Sequence, residues 1–293
     1  MLETIFYHID EFNKKFEKEF ESRLLTSGNN KRKRAFQMIS SEIMTIMIWY
    51  HHSGYKTFKD YYEKYVLLHM GKDFNNLVSY NRFLELRSKV VVPLTIFLQL
   101  RGMQACTGIS YIDSFPLEVC HIKRAYSHKT FKQFAKKGRT SVGWFFGFKL
   151  HVVINHTGEI IACMITPGNV SDSHEDVVMN LTQNILGKLF GDRGYIGQKL
   201  FEKLYKKGIQ LITRVRKNMK NKFMNFDDKI LLKKRGVVES VGSILKESLS
   251  LEHSRHRSYS GFFAHIMSSL IAYAFREKKP SISTKNLTMQ LPA

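Results

Sequence analysis

Acidic side chains are scarce in the second part of this sequence, so three carboxylates stand out there. Asp113 lies inside the β-prone run GISYIDSFPLEVC, Asp192 follows the apolar run KLFG in KLFGDRGYIG, and Glu239 lies within RGVVESVGSILKES. Carboxylates on separate elements suit one kind of chemistry: they bridge two divalent ions about 3.5–4 Å apart, which activate an attacking oxygen and steady a leaving one at a phosphodiester. Mg2+ fits such ligands, because it prefers oxygen and keeps several waters. Taken alone, KLFGDRGYIG reads more simply as a strand closed by a turn-forming Asp, with Gly191 and Gly194 letting the backbone turn tightly.

The three carboxylates meet only if their two strands are neighbours in a sheet and the helix of Glu239 packs across the strand ends. At 100° per residue, Arg235, Glu239 and Lys246 fall within about 40° of one another, opposite Val237, Val238, Val241, Ile244 and Leu245. Gly242 falls on the charged side, where it leaves room for a bulky ligand. The plainer reading of this segment is an amphipathic helix with an i, i+4 Arg–Glu pair worth a few tenths of a kcal/mol, ~0.3.

The elements that must position these residues follow from hydrophobic period. In the first third, Ile5, Ile9, Phe12, Phe16, Phe20 and Leu24 form one helical stripe. SGNNKRKR (27–34) is a basic linker, and 36–50 is a second helix. HHSGYKTF is a turn before a third helix through YYEKYV. Ser79 caps YNRFLELRSKVV, Pro93 ends or kinks that segment, and an apolar helix runs to about residue 101. From about residue 107 the period changes. A strand over 108–120 is closed by Pro116, two strands flank HTGE within 146–169, and a helix covers 174–187. KLFG is a strand, GQKLFEKLYKKG a helix ended by Gly208, IQLITRVR a strand, and 235–250 and 261–277 are helices. The chain is therefore α/β (α+β): a helical region over 1–104, a mixed sheet flanked by helices over 105–279, and a flexible tail over 280–293.

The chain has 293 residues, with 46 Lys and Arg against 25 Asp and Glu, a formal charge of +21. Such an excess points to a polyanion, nucleic acid foremost, although a membrane surface or ribosomal RNA matches the charge too. Cys106, Cys120 and Cys163 have no zinc-finger or CxxC spacing and read as buried reduced thiols. MLETIFYHIDEFNKKFEKEF is neither a signal nor a transit peptide. No run approaches the roughly 20 apolar residues of a membrane span, so the expectation is a soluble, intracellular protein with no membrane partner.

Other clusters have two readings each. SDSHED (171–176) offers Asp172, His174, Glu175 and Asp176 to a metal, but reads better as a loop in which Ser171 or Ser173 caps the next helix. EHSRHRS (252–258) lacks further ligands for zinc; Arg255, His256 and Arg257 touch DNA or anchor a helix. HHSGYKTF with SYNRFLELR forms a helix-turn-helix presenting Tyr80, Arg82 and Arg87 to DNA, or a bundle that only packs. Trp144 in SVGWFFGF sits at a strand edge, where it can stack on an exposed base. Arg193 and Tyr195 are candidate DNA contacts beside Asp192.

SEIMTIMIWYHHSGYKTFKDYY, SYNRFLEL, YIDSFPLEVCH, GDRGYIG, LLKKRGVVESVGSILKE, LEHSRHRS and SLIAYAF occur in this order along nearly the whole chain. In this combination the sequence resembles DDE transposases of the bacterial insertion-sequence family numbered nine-eight-two. The resemblance implies a ribonuclease-H-like catalytic domain behind a helical DNA-binding region. It implies that Asp113, Asp192 and Glu239 are the catalytic, metal-holding residues. Related transposases carry a Tyr, Arg, Glu, Lys signature on the last element; Arg235, Glu239 and Lys246 keep its spacing, while Leu232 stands at the Tyr position. Arg235 and Lys246 would contact DNA phosphates.

The implied reaction is cleavage at the ends of the element, then attack of the freed 3′-OH on target DNA, with no covalent protein–DNA intermediate. Two Mg2+ ions are the expected cofactors, with Mn2+ tolerated. The expected partners are terminal inverted repeats, target DNA and at least one further copy of the chain, in the cytoplasm and at the nucleoid when bound to DNA. The charge also suits a non-catalytic DNA-binding relic or repressor of transposition, and the carboxylates a nuclease that cuts without joining.

Overall fold

Helical segments open the chain. The computed structural model describes residues 1–26, 38–74, 76–214, 223–252 and 256–284; the proposed linker 27–34, Arg255 and the end of the tail lie outside the described residues, wholly or in part. Helix α1 is Leu2–Thr26 and α2 is Ser40–Tyr50. Helix α3 (Phe58–Tyr61) is capped by Thr57 and runs through a π-turn, Tyr62–Val66, into α4 (Leu67–His69). Ser79 caps α5 (Tyr80–Arg87), as its place before an apolar-periodic run predicts. Pro93 kinks its segment rather than ending it: a 3-10 turn, Ser88–Val90, separates α5 from the helix that holds the proline. It lies in the first turn of α6 (Val91–Phe97), where its missing N–H costs no intrahelical bond.

The second compact unit comprises Met103–Ile244, Glu252–Arg255 and Glu277–Ala293. It holds β1 (Ile109–Cys120), β2 (Lys136–Arg139), β3 (Trp144–Asn155), β4 (Ile160–Pro167), β5 (Gly187–Gly191) and β6 (Ile209–Thr213). The sheet order is β2-β3-β1-β5-β6, and β4 pairs with β3 beyond the stretch taken by β2. β1 is antiparallel to β3 but parallel to β5, and β5 is parallel to β6. Pro116 does not close β1. It lies within the strand opposite Lys149, past the three residues that pair with β5, so that flank of β1 is an open edge where the absent N–H costs nothing.

Helices α7 (Glu175–Leu181) and α8 (Gln198–Tyr205) cover one face through Val177, Val178, Leu181, Leu200 and Leu204 against Ile112, Val153 and Leu189. α7 is shorter than its sequence suggests, because the chain turns after Thr182. α9 (Phe226–Lys233) and α10 (Gly236–Ser243) pack on β5, β6 and β1. The Tyr111 hydroxyl donates to the Leu231 carbonyl at 3.4 Å.

Gly242 leaves no room for a ligand. It is buried, and a Cβ there would lie 2.3 Å from the Phe115 ring, so the glycine brings α10 onto β1. Gly242→Ala, which in an exposed helix is mildly favourable, is expected to destabilise this protein by about 1–3 kcal/mol through overpacking. Urea denaturation checks this; an unchanged midpoint would mean that the α10–β1 contact opens freely.

The first unit contains more than the opening helices: Met1–Gly102, Leu245–Leu251 and His256–Arg276. Its last helix, α11 (Tyr259–Ala274), is buried along most of its length and packs with α2, α5 and α6, whereas the sequence assigns it to the sheet region. Two imidazoles fasten the incoming segment. His51 Nδ1 donates to the Leu249 carbonyl at 2.6 Å, and His265 Nε2 to the Ser250 carbonyl at 2.8 Å. Burial and the neighbouring His265 hold His51 well below its usual pKa, so it stays neutral. Between these carbonyls Ser250 adopts φ 48°, a left-handed conformation that non-glycine residues seldom take.

Candidate active site

Alternation along two paired strands brings the aspartates to one face. Tyr111 and Phe190 are register partners across the parallel β1–β5 pair, and their rings stack at 5.3 Å. Asp113 and Asp192 each lie two residues further on, and side chains two apart share a face. Both therefore lie on the side that α9 and α10 cover. The Asp192 carboxylate accepts the Gly194 N–H at 2.7 Å, the turn-forming role that KLFGDRGYIG suggests on its own.

Asp113 is tied down at both oxygens: Oδ1 accepts the Ser114 N–H at 2.9 Å, and Oδ2 accepts Arg235 Nη1 at 3.1 Å. Burial pushes its pKa up to about 6. The Ser114 N–H and the Arg235 charge pull it back, and the charge of Asp192 raises it further. Arg235 also bonds to Glu239 through Nη2, so one guanidinium links the first and third carboxylates. Its side chain is 20% exposed, so it lies less open than an exposed helix face implies, and the i, i+4 Arg–Glu pair of the plainer reading is present.

Asp192, Arg193, Arg214, Lys233, Arg235 and Glu239 line a cleft of about 400 Å3 with Gly191 and Gly236. Four cations against two lining carboxylates make it attractive to an anion. Arg214 and Lys233 escape the sequence reading. Arg214 could have been found: Gly191 and Thr213 are register partners at the ends of parallel strands, so the next residues, Asp192 and Arg214, share a rim where open α/β sheets bind ligands.

The remaining candidates separate. Lys246 lies on a π-turn, Ile244–Ser248, which breaks the angular count that aligned it with Glu239; it belongs to the first unit and does not line the cleft. Leu232, at the signature's Tyr position, is buried. Tyr195 is buried too and cannot touch DNA as expected; its hydroxyl finds no partner among the described residues, and burial with Asp113, Asp172 and Asp192 raises its pKa well above the usual value. In the first unit Arg82 pairs with Glu85, and Arg257 is exposed. Tyr80 is half-buried, and Arg87 is largely buried, packing where a Gly261 Cβ would sit.

SDSHED does not gather into a metal site. Glu175 pairs with Lys203, and neither serine caps α7. Asp172 instead accepts bonds from Lys149 Nζ at 2.8 Å and Ser114 Oγ at 2.6 Å. Ser114 thus holds Asp113 with its N–H and Asp172 with its hydroxyl. Among the described residues, no group of three His, Cys, Asp or Glu is close enough to hold a metal ion. The donors facing this side are all carboxylates, which suit a hard divalent cation, and Arg235 is the positive charge between two of them. The fit is one of donor chemistry, and it requires Arg235 to turn aside.

No helix among the described residues is long and apolar enough to cross a membrane. No curated protein matches the chain. Among solved structures, a piggyBac transposase synaptic complex with hairpin DNA aligns at TM-score 0.47 and 10% identity, over 83% of this chain and 68% of that one. The Mos1 strand transfer complex aligns at TM-score 0.25 and 13% identity, over 86% and 82%. The family model described as a transposase DDE domain matches residues 103–259, more than half of the chain and a span that contains Asp113, Asp192 and Glu239. The chain belongs to the DDE-domain transposases.

Proposed function

We propose that this protein cleaves DNA at the ends of an insertion sequence and joins the freed 3′ ends to target DNA. Asp113, Asp192 and Glu239 would hold two divalent ions, Mg2+ in the cell. The observation that carries the reading is the cleft itself: two carboxylates from it, and a third tied to its wall by Arg235, stand among four cations. The sheet order, with parallel β1, β5 and β6 beside antiparallel β3 and β4, supports a ribonuclease-H-like domain. The nine-eight-two family remains the family proposed, on the ordered motifs. When bound, the ions supply activation of the attacking oxygen and stabilisation of the leaving one.

The chain's own residues do the rest. Arg193, Arg214 and Lys233 dock the phosphates that flank the scissile one. Arg235 leaves the carboxylates for a phosphate oxygen when DNA enters, exchanging one anion for another. Ser114 holds Asp113 in its rotamer. Arg82 and Arg257 of the helical unit add backbone contacts at the terminal repeats, and Arg87 serves that unit's fold. Joining two ends calls for at least two copies of the chain.

The test is a cleavage assay on duplexes bearing the element's ends, read from the inverted repeats that flank its reading frame. Nicking with a 3′-OH product is expected with Mg2+ or Mn2+, followed by joining to a plasmid, and none in EDTA. Cleavage that persists in EDTA would sink the metal mechanism; cutting without joining would reduce the protein to a nuclease.

A further inference from the structure

Between β1 and β3 the chain makes an excursion over residues 121–144 that contains seven Lys and Arg and no Asp or Glu. It supplies a third of the formal charge of the whole molecule, and none of it lines the cleft. Lys123, Arg124, Lys129 and Lys132 are exposed along its loop. Lys136, Lys137 and Arg139 are exposed on β2, an edge strand. None of the seven makes an ion pair with a described carboxylate.

This excursion is built as a platform. Ala125, Phe131 and Ala135 are buried beneath it, with Phe131 edge-on to Phe148 at 6.0 Å. β2 pairs in register with β3 from Lys136 opposite Gly147 to Arg139 opposite Trp144. The turn between them closes with the Thr140 N–H donating to the Gly143 carbonyl at 2.8 Å. At Gly138 the strand lies so close to the Gly168 carbonyl that a Cβ would sit 2.2 Å from it. Trp144, 59% exposed, carries the Arg139 guanidinium 5.8 Å above its ring.

Unpaired cations held in fixed positions repel one another, so the fold retains them against a cost that an anion removes. Lysines on an edge strand can also serve to discourage pairing with other chains. That purpose accounts for Lys136 and Lys137, but not for the four cations of the loop. Five of the seven are lysines, compact point charges without the planar fork of arginine, and suited to phosphates.

We propose that this platform is a second DNA-binding surface, which holds the phosphate backbone of a duplex without regard to sequence and away from the point of cleavage. The spacing follows from β1, which links Asp113 to Cys120 over seven extended residues, about 24 Å. At 3.4 Å per step that is about seven base pairs. Lys136 and Lys137 lie across β3 from Glu118 and Cys120, so a duplex running along β1 meets the platform about five to seven base pairs from the scissile phosphate, on flanking or target DNA. The inference rests on DNA as the partner and not on the cleavage chemistry.

Its test uses the full chain and a random-sequence 30-base-pair duplex. Each phosphate that a cation neutralises contributes about 0.9 to the slope of log affinity against log salt. Replacing Lys129, Lys132, Lys136 and Lys137 with Gln should therefore lower that slope by about 3–4. Trp144 fluorescence, read in a Trp49→Phe background that leaves it the sole tryptophan, should change on adding duplex to the otherwise unaltered chain. A slope unchanged in a variant with normal circular dichroism would overturn the proposal and leave the lysines as edge protection. Loss of slope with an RNA hairpin but not with DNA would overturn it in favour of RNA. A protein that never nicks DNA, yet shows both responses, would keep the platform and lose the cleavage reading.

Discussion

Asp192→Asn is expected to abolish cleavage, by at least about 10³-fold or ~4 kcal/mol in the barrier, while fold and DNA binding survive. The separation comes from the two jobs of one side chain. As the cap of the turn after β5, Asp192 needs only an oxygen that accepts the Gly194 N–H, and Asn supplies one. As a metal ligand it needs a negative charge, which Asn lacks. Removing that charge from a cleft lined by four cations should also tighten binding of uncut DNA severalfold. Thermal melting, a DNA-binding titration and single-turnover cleavage on one preparation separate the three quantities. Cleavage within tenfold of the unaltered protein would remove Asp192 from the chemistry.

The second large effect concerns stability, and its sign runs against intuition. Asp113 is bonded to Arg235, yet burial outweighs that bond, and its pKa rises from the ordinary 3.8 to about 6. Between those values the folded chain keeps a proton that the unfolded chain has lost, so stability falls as pH rises through this window. Above about pH 6 the loss levels off at roughly 3 kcal/mol, at 1.36 kcal/mol per pKa unit. Asp113→Asn should therefore stabilise the metal-free protein at pH 7.5 by about 1–3 kcal/mol, with the gain vanishing below pH 4. Urea denaturation in EDTA at several pH values measures it. A variant less stable than the parent at pH 7.5 would mean that the Arg235 bond dominates.

That balance also accounts for what could be read from the sequence. Asp113 on a strand, Asp192 past a strand end and Glu239 on a helix are local facts, carried by period and turn residues, and the elements follow them. Pairings over long separations were less legible. Nothing local marks Arg235 as the bridge between Asp113 and Glu239, because that contact spans 122 residues. Gly242 looked like space for a ligand because a helical wheel does not know that Phe115 fills it. Lys246 fell out of line because a π-turn changes the angle per residue, a feature with no dependable sequence sign. Arg87 and Tyr195 are candidates for DNA contact by type, since such residues are at home on surfaces; the packing that covers Arg87 in large part and Tyr195 wholly has no local sign.

The passage of the chain back into the helical unit after Ile244 bears on how such a gene can decay. A stop codon just past Glu252 would spare all three carboxylates and every strand. It would nonetheless delete α11, the helix around which α2, α5 and α6 are packed, and with it His265, one of the two imidazoles that fasten the returning segment. An open reading frame shortened there would look intact at every catalytic position and still encode a protein whose front half cannot fold. Judging whether a copy of this element is alive therefore requires reading past its last acidic residue.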